Sequence, residues 1–166
     1  MTVAVSPNGR WLAAGVNSQN AAVVWDVTSG RLTRLPVNYP LHLAFSPDGG
    51  WLVTGSQGDY RFWGVDSWQE GLKFSRRRLE SLPGPLAFSR DGRLLALVPS
   101  LQQVQLLNPA TGRVLATLDS PDPRVIRALS FSPDGAFLAV ATEHQAIQLW
   151  DLRYLQEELT RRGLGW

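Results

Sequence analysis

The side chains best able to do chemistry are few, and their spacing does not suit it. His42 and His144 are the two histidines of the 166-residue chain and lie about a hundred residues apart. With no cysteine present, disulfides and thiolate chemistry are excluded and the redox compartment is left open. The sequence has no glycine-serine nucleophile elbow, no phosphate loop and no pair of histidines at metal-binding spacing. Asp48, Asp91 and Asp134 recur at matching places, as calcium ligands sometimes do. They lack the alternating acidic ligands and distal glutamate that a hard-cation loop requires, and turn chemistry accounts for them. The run Arg76-Arg77-Arg78 offers guanidinium forks suited to phosphate or carboxylate, but reads as a solvated loop. No catalytic residue, metal or cofactor is therefore expected.

The acidic residues belong to a repeated phrase. Ser6-Pro7-Asn8-Gly9, Ser46-Pro47-Asp48-Gly49, Ser89-Arg90-Asp91-Gly92 and Ser132-Pro133-Asp134-Gly135 begin 40, 43 and 43 residues apart. A second phrase follows each serine by 17 to 19 residues: Trp25-Asp26, Trp63-Gly64, Leu107-Asn108 and Trp150-Asp151. Proline enters a tight turn with its φ already set, Asp or Asn suits the polar corner, and glycine takes the left-handed position. Gly9, Gly49, Gly92 and Gly135 are thus expected at positive φ, each closing a hairpin between two strands. Apolar runs alternate on both sides of every turn, from Val3-Ala4-Val5 and Trp11-Leu12-Ala13 in the first repeat to Leu129-Ser130-Phe131 and Phe137-Leu138-Ala139 in the last. A third strand ends at Trp25, Trp63, Leu107 or Trp150, and these four residues are expected to be buried at equivalent positions between neighbouring sheets. Thr28-Ser29-Gly30-Arg31 and Ala110-Thr111-Gly112-Arg113 mark a second hairpin leading to a fourth strand. A period of about 40–45 residues with these signals denotes four-stranded blades.

The two phrases resemble those of WD40 repeats, the blades of β-propellers, over almost the whole chain up to Asp151. The fold class implied is all-β: four WD40-like blades forming a partial propeller or half-ring, with a short C-terminal helix. Expected bounds are about 1–36, 37–80, 81–120 and 121–151 for the blades and 152–166 for the tail. The chain departs from the family pattern in two ways. The usual Gly-His pair before the first strand is absent, although His42 stands three residues ahead of Phe45. The aspartate usual six residues before the tryptophan is replaced by Gln19, Gln57, Leu101 and His144. A buried Asp-His-Ser-Trp network is therefore not expected, and the blades are expected to rely on apolar packing alone.

Composition sets the remaining bounds. Apolar content is 44% and no apolar run is long enough to span a bilayer, which fits a folded chain outside the membrane. No basic and apolar leader precedes Val3, so a cytoplasmic location is expected. A net charge of +2 is too small for the electrostatic footprint of a nucleic-acid binder. Lys73 is the lone lysine against fifteen arginines, which reads as genome composition. After Trp150 the pattern becomes helical: Asp151 suits an N-cap, Leu152, Leu155 and Leu159 form a stripe, and Gly163 suits the residue after the helix. This tail resembles the segment after the last repeat in large bacterial WD-repeat proteins, some of them kinase-linked. The chain is accordingly expected to be part of a larger signalling or regulatory protein.

An open arc of four blades would leave its outer faces wet. About 500 Å² of exposed apolar face forfeits on the order of 12 kcal/mol, so self-association or further upstream blades are expected to complete the ring. The function implied by the resemblance is a non-catalytic scaffold for a protein partner. In the family the partner face is commonly built from loops before strand one and between strands two and three, here 17–20, 37–42, 57–60, 122–127 and 143–145. Tyr39, His42, Tyr60, Arg124 and His144 are the candidate partner-binding residues, tyrosine and arginine being frequent anchors. The alternatives are a fragment of a β-propeller hydrolase, or a remnant without independent function.

Overall fold

Each Ser-x-Asp-Gly phrase folds into the same hydrogen-bonded turn. In the first, the Ser6 hydroxyl donates to Asn8 Oδ1 at 2.7 Å and accepts from the Trp11 amide at 2.9 Å, while the Gly9 amide closes on the Ser6 carbonyl. Ser46, Ser89 and Ser132 repeat this relay with Asp48, Asp91 and Asp134, each accepting from the amide five residues on. Gly9, Gly49, Gly92 and Gly135 have φ between 71° and 75°, as the turn chemistry requires. The serine hydroxyl and then a backbone amide hold Asp48, Asp91 and Asp134 below the usual carboxylate range. These carboxylates are occupied by their own turns.

The computed structural model describes residues 2–16, 20–38, 41–77, 82–121, 124–143 and 146–163. The turns organise four antiparallel sheets. Blade 1 contains β1 (Val3–Val5), β2 (Trp11–Val16), β3 (Ala21–Asp26) and β4 (Leu32–Pro36). Blade 2 contains β5 (His42–Phe45), β6 (Trp51–Gly55), β7 (Asp59–Gly64) and β8 (Glu70–Ser75). Blade 3 contains β9 (Leu86–Phe88), β10 (Leu95–Ser100), β11 (Gln103–Leu107) and β12 (Val114–Asp119). Among the described residues blade 4 has three strands, β13 (Ile126–Phe131), β14 (Phe137–Thr142) and β15 (Ile147–Asp151). The first strands of successive blades adjoin in the order β1, β5, β9, β13. The first strands therefore lie side by side along the inside of an arc, and the sheets radiate from them.

Side chains alternate across each strand, so every blade has a front face toward the preceding blade and a back face toward the following one. Three apolar layers fill the spaces between blades. Trp11, Ala13 and Val24 on the back of blade 1 join Phe45, Leu52 and Trp63 on the front of blade 2. Val53 and Phe62, with Trp51 at the margin, join Leu95, Leu107 and Phe88. Ala96 and Leu106, with Leu94, join Leu138, Phe131 and Trp150. Trp63 and Leu107 are buried as expected and Trp150 is half-buried, but Trp25 is 41% exposed. It occupies the same register position as Trp63, since Leu12 pairs with Trp25 as Leu52 pairs with Trp63. The difference is the absence of a preceding blade against it among the described residues.

The expectation of apolar packing alone is also corrected. Trp63 Nε1 donates to Thr54 Oγ1 at 3.0 Å inside the layer between blades 1 and 2, and a buried arginine, Arg76, binds blades 2 and 3 together. The helix α1 (Leu152–Arg161) starts directly after β15. Asp151 caps it by accepting from the Arg153 and Tyr154 amides, and Gly163 follows it at φ 71°. Leu152 is buried and Leu155 packs with it on the layer between blades 3 and 4, so the helix is anchored by its first turns.

Candidate interaction surface

One end of the arc carries the connections between blades and the loops between second and third strands. The expected anchors on this rim have different fates. Tyr39 and His144 lie outside the described residues. Arg124 is exposed at the entrance to β13. His42 opens β5, opposite Gly55, and is half-buried. Tyr60 is the correction: it is 1% exposed and belongs to β7, where it pairs with Gly55 rather than standing in a loop. Its ring packs between blades 2 and 3, and its hydroxyl accepts from the Val98 amide at 2.9 Å, with the Pro85 and Val98 carbonyls each 3.0 Å away. It offers no surface to a partner.

The arginine run divides likewise. Arg76 is 5% exposed, against the expectation of a solvated loop. Its Nε donates to the Val98 carbonyl at 2.9 Å and its Nη1 to Leu82 at 3.0 Å, with Ser56 and Gln57 carbonyls at 3.3 and 3.4 Å. A guanidinium has five donors in a fixed fork, and here the fork meets carbonyls from three segments of chain. Arg77, by contrast, points outward, and its amide bonds the Pro99 carbonyl at 2.8 Å. It borders a groove of about 710 Å³ with Leu101, Gln102 and Asp119, walled by Gln103, whose Nε2 donates to Asp119 Oδ1 at 2.9 Å. On the same rim Arg127 pairs with Glu143. Sequence reasoning read the whole run as a solvated loop, which holds for Arg77 and not for Arg76, and it missed the groove, because nothing in a row of three arginines says which one the fold consumes.

His42 has one chemical consequence. Burial, and then the Arg76 charge, lower its pKa from the ordinary 6.5. The folded state thus resists protonation that the unfolded chain accepts. This contribution to stability is complete above about pH 6.5 and is lost as pH falls through the lowered folded value. The denaturant midpoint of the wild-type chain is expected to drop between pH 7.5 and pH 5 more steeply than that of His42→Gln. Parallel midpoints across this window would show that His42 titrates as it does in water.

Among the described residues no cluster of three His, Asp or Glu side chains is placed to hold a metal ion. No helix among them is long and apolar enough to cross a membrane.

A four-stranded blade with a Ser-x-Asp-Gly turn and a Trp-Asp strand end defines a class of protein, the propeller-forming repeat proteins. The profile of the family described as WD domain, G-beta repeat matches residues 1–26, 37–64 and 112–151, more than half of the chain. The chain belongs to the WD40 repeat family. The unmatched stretch 65–111 holds the repeat in which Arg90 replaces proline and Leu107-Asn108 replaces Trp-Asp. The chain is 33% identical over 147 residues to the WD repeat-containing protein SL1-17 of Schistosoma mansoni, covering 86% of this chain and 47% of that protein. It is 34% identical over 169 aligned positions to Centriole proteome protein 16 of Chlamydomonas reinhardtii, covering 91% of this chain and 8% of that one. A match of 35% over 68 residues to the Small ribosomal subunit protein RACK1z of Arabidopsis thaliana covers 40% of this chain and 20% of that protein. The chain thus spans about half the length, or less, of these relatives. All three are eukaryotic, so the bacterial likeness of the tail has no counterpart among them.

Proposed function

We propose that the chain is a non-catalytic interaction scaffold whose rim, from Arg77 through the 99–103 groove to Arg124, receives a protein partner. The carrying observation is the division of labour in the arginine run: Arg76 is consumed in fixing the connection between blades 2 and 3, and Arg77, next to it, is held outward on that rigid base. Preorganised arginine beside a groove is a frequent form of binding anchor. The four blades and the tail serve as one support, with repeat bounds near 1–36, 37–80, 81–120 and 121–151, and 152–166 for the tail. The setting we favour is a larger signalling or regulatory protein in the cytoplasm.

The test begins with recovery of binding proteins on the immobilised chain, followed by calorimetry with each purified candidate. Arg77→Glu combined with Arg124→Glu is expected to weaken the complex at least tenfold, about 1.4 kcal/mol. Arg31→Glu combined with Arg113→Glu, at the opposite ends of the blades, is expected to leave it unchanged. Equal loss from both pairs would move the site away from this rim.

A further inference from the structure

Equivalent clefts open between successive blades at the end that carries the Ser-x-Asp-Gly turns, and two of them differ in charge. Between blades 1 and 2, Arg10, four residues after the turn serine, is clamped by Asp26 at 3.0 Å and Asp66 at 3.3 Å. Trp68 narrows the same cleft by meeting Trp11 edge-on. Between blades 3 and 4 the arginine is kept as Arg93, but both acids are replaced. Asn108 stands at the Asp26 position: the two amides bond the carbonyl five residues on, Arg113 and Arg31 respectively. Arg153 stands at the Asp66 position, for each follows a residue, Leu152 or Val65, whose amide bonds the carbonyl four positions after a turn serine. Leu94 holds the Trp11 position, and the groove has about 840 Å³ against about 540 Å³.

The cations of the wider groove are poorly neutralised. Arg93 has an 87% exposed side chain and lies 3.9 Å from Asp91, which is already engaged by the Ser89 hydroxyl and the Arg93 amide. Arg153 lies 3.8 Å from Asp151, whose Oδ1 caps the helix, and its guanidinium is seated 5.0 Å over the Phe137 ring. Exposed ion pairs this long contribute little. Arg113 is also exposed on the groove, and Leu94, Leu115 and Ala136 add apolar lining.

We propose that this groove binds an acidic peptide segment of a protein partner, its carboxylates meeting Arg93, Arg113 and Arg153 and its apolar side chains meeting Leu94 and Leu115. Guanidinium forks take carboxylates bidentately, which fixes a peptide's register as well as its charge. A nucleic-acid strand fits less well, because Asp91 and Asp134 stay ionised beside the groove and repel a continuous run of phosphates. Single charges spaced by apolar residues can avoid them. The groove is walled by described blades on both sides and lies at the opposite end from the Arg77 rim, whose reading it does not need.

Fluorescence anisotropy tests it, titrating the whole chain against labelled synthetic peptides in which Glu or Asp alternates with Leu, Ala or Ser. A matched set carries Gln and Asn in place of the acids. The acidic set is expected to bind at least roughly tenfold more tightly than the neutral set, and less tightly as salt is raised. Arg93→Gln combined with Arg153→Gln should remove this preference. Asn108→Asp combined with Arg153→Asp rebuilds the Arg10 clamp around Arg93 and should abolish binding while the melting temperature is kept. The turn tolerates the first change, since Asn108 Oδ1 accepts from the Ala110 and Thr111 amides as Asp26 Oδ1 does from Thr28 and Ser29. Arg31→Gln, in the narrower cleft, and the Arg77 and Arg124 rim variants should leave peptide binding unchanged. Equal binding of the two peptide sets, equal loss from Arg31→Gln, or full binding by the clamped variant overturns the proposal. Tighter binding of a single-stranded oligonucleotide than of any acidic peptide does so as well.

Discussion

Replacing Trp63 with alanine is expected to destabilise the chain by about 3–5 kcal/mol, the cost of deleting a large aromatic from a close-packed interior. Trp63 is 3% exposed at the centre of the layer between blades 1 and 2, among Phe45, Leu52, Trp11 and Val24. The substitution also strips Thr54 Oγ1 of its indole donor in a buried position, which adds to the cavity. Trp63→Phe keeps most of the apolar volume and loses the hydrogen bond, so about 1–2 kcal/mol is expected. Trp25→Ala is the informative comparison: it alters the equivalent register position, yet it should cost clearly less than Trp63→Ala because its ring is already 41% exposed to water. Urea denaturation at concentrations where the chain is monomeric checks all three. A Trp63→Ala cost as small as that of Trp25→Ala would mean that the blades do not pack as described.

The contrast between these two tryptophans shows what the sequence can say. Sequence position predicted their place in the blade, because strand period and turn spacing are local properties. Burial followed from a neighbouring sheet, which is not local. The turns were legible for the same reason. Ser6, Ser46, Ser89 and Ser132 make identical relays within five residues of themselves, and each glycine needs its positive φ whatever surrounds it. The end of β7 was harder to read. There Gly64 stands where other blades have Asp or Asn, and the turn into β8 places Asp66 and Trp68, rather than glycine, at positive φ. Its Trp68 amide still closes on the Gly64 carbonyl at 2.7 Å, and the ring meets Trp11 edge-on at 4.9 Å. Tertiary contact offsets the local strain at such a position.

The candidate surface was less legible than the fold. Tyr60 carries the right chemistry for an anchor and follows a short second-to-third-strand connection, so it read as a loop residue. Its burial is explained by two glycines, Gly55 paired with it across the sheet and Gly84 on the connection to blade 3. A Cβ at Gly55 would meet the Gly84 carbonyl at 2.2 Å and the Tyr60 ring at 2.7 Å, and one at Gly84 would meet the same ring at 2.9 Å. The ring fills the space that those missing side chains leave. Burial then pushes the Tyr60 hydroxyl well above its ordinary pKa, so it stays protonated. Only a close approach between segments some 25 residues apart reveals this, and periodicity carries no trace of it.

Arg76 makes the second large prediction. Arg76→Met is expected to cost about 1–3 kcal/mol, the penalty for leaving buried acceptors without their donor. Methionine matches much of the side-chain length, so the loss is chiefly electrostatic. The Leu82 carbonyl loses its charged donor, and the Val98 carbonyl is left with the Tyr60 hydroxyl at 3.0 Å. For a chain of this size each kcal/mol lowers the melting temperature by about 2–4 °C. Arg76→Lys should recover only part of the loss, since a point charge cannot reach carbonyls on three segments together. Arg77→Met, one residue on and exposed, should be neutral for stability and deleterious only for partner binding. The pair thereby separates support from recognition: Arg76→Met impairs both, because the connection it anchors is the one that presents Arg77. Thermal melts of the three variants, with calorimetric binding beside them, would test the separation. Equal melting temperatures for Arg76→Met and the wild type would show that the guanidinium does not hold blades 2 and 3 together.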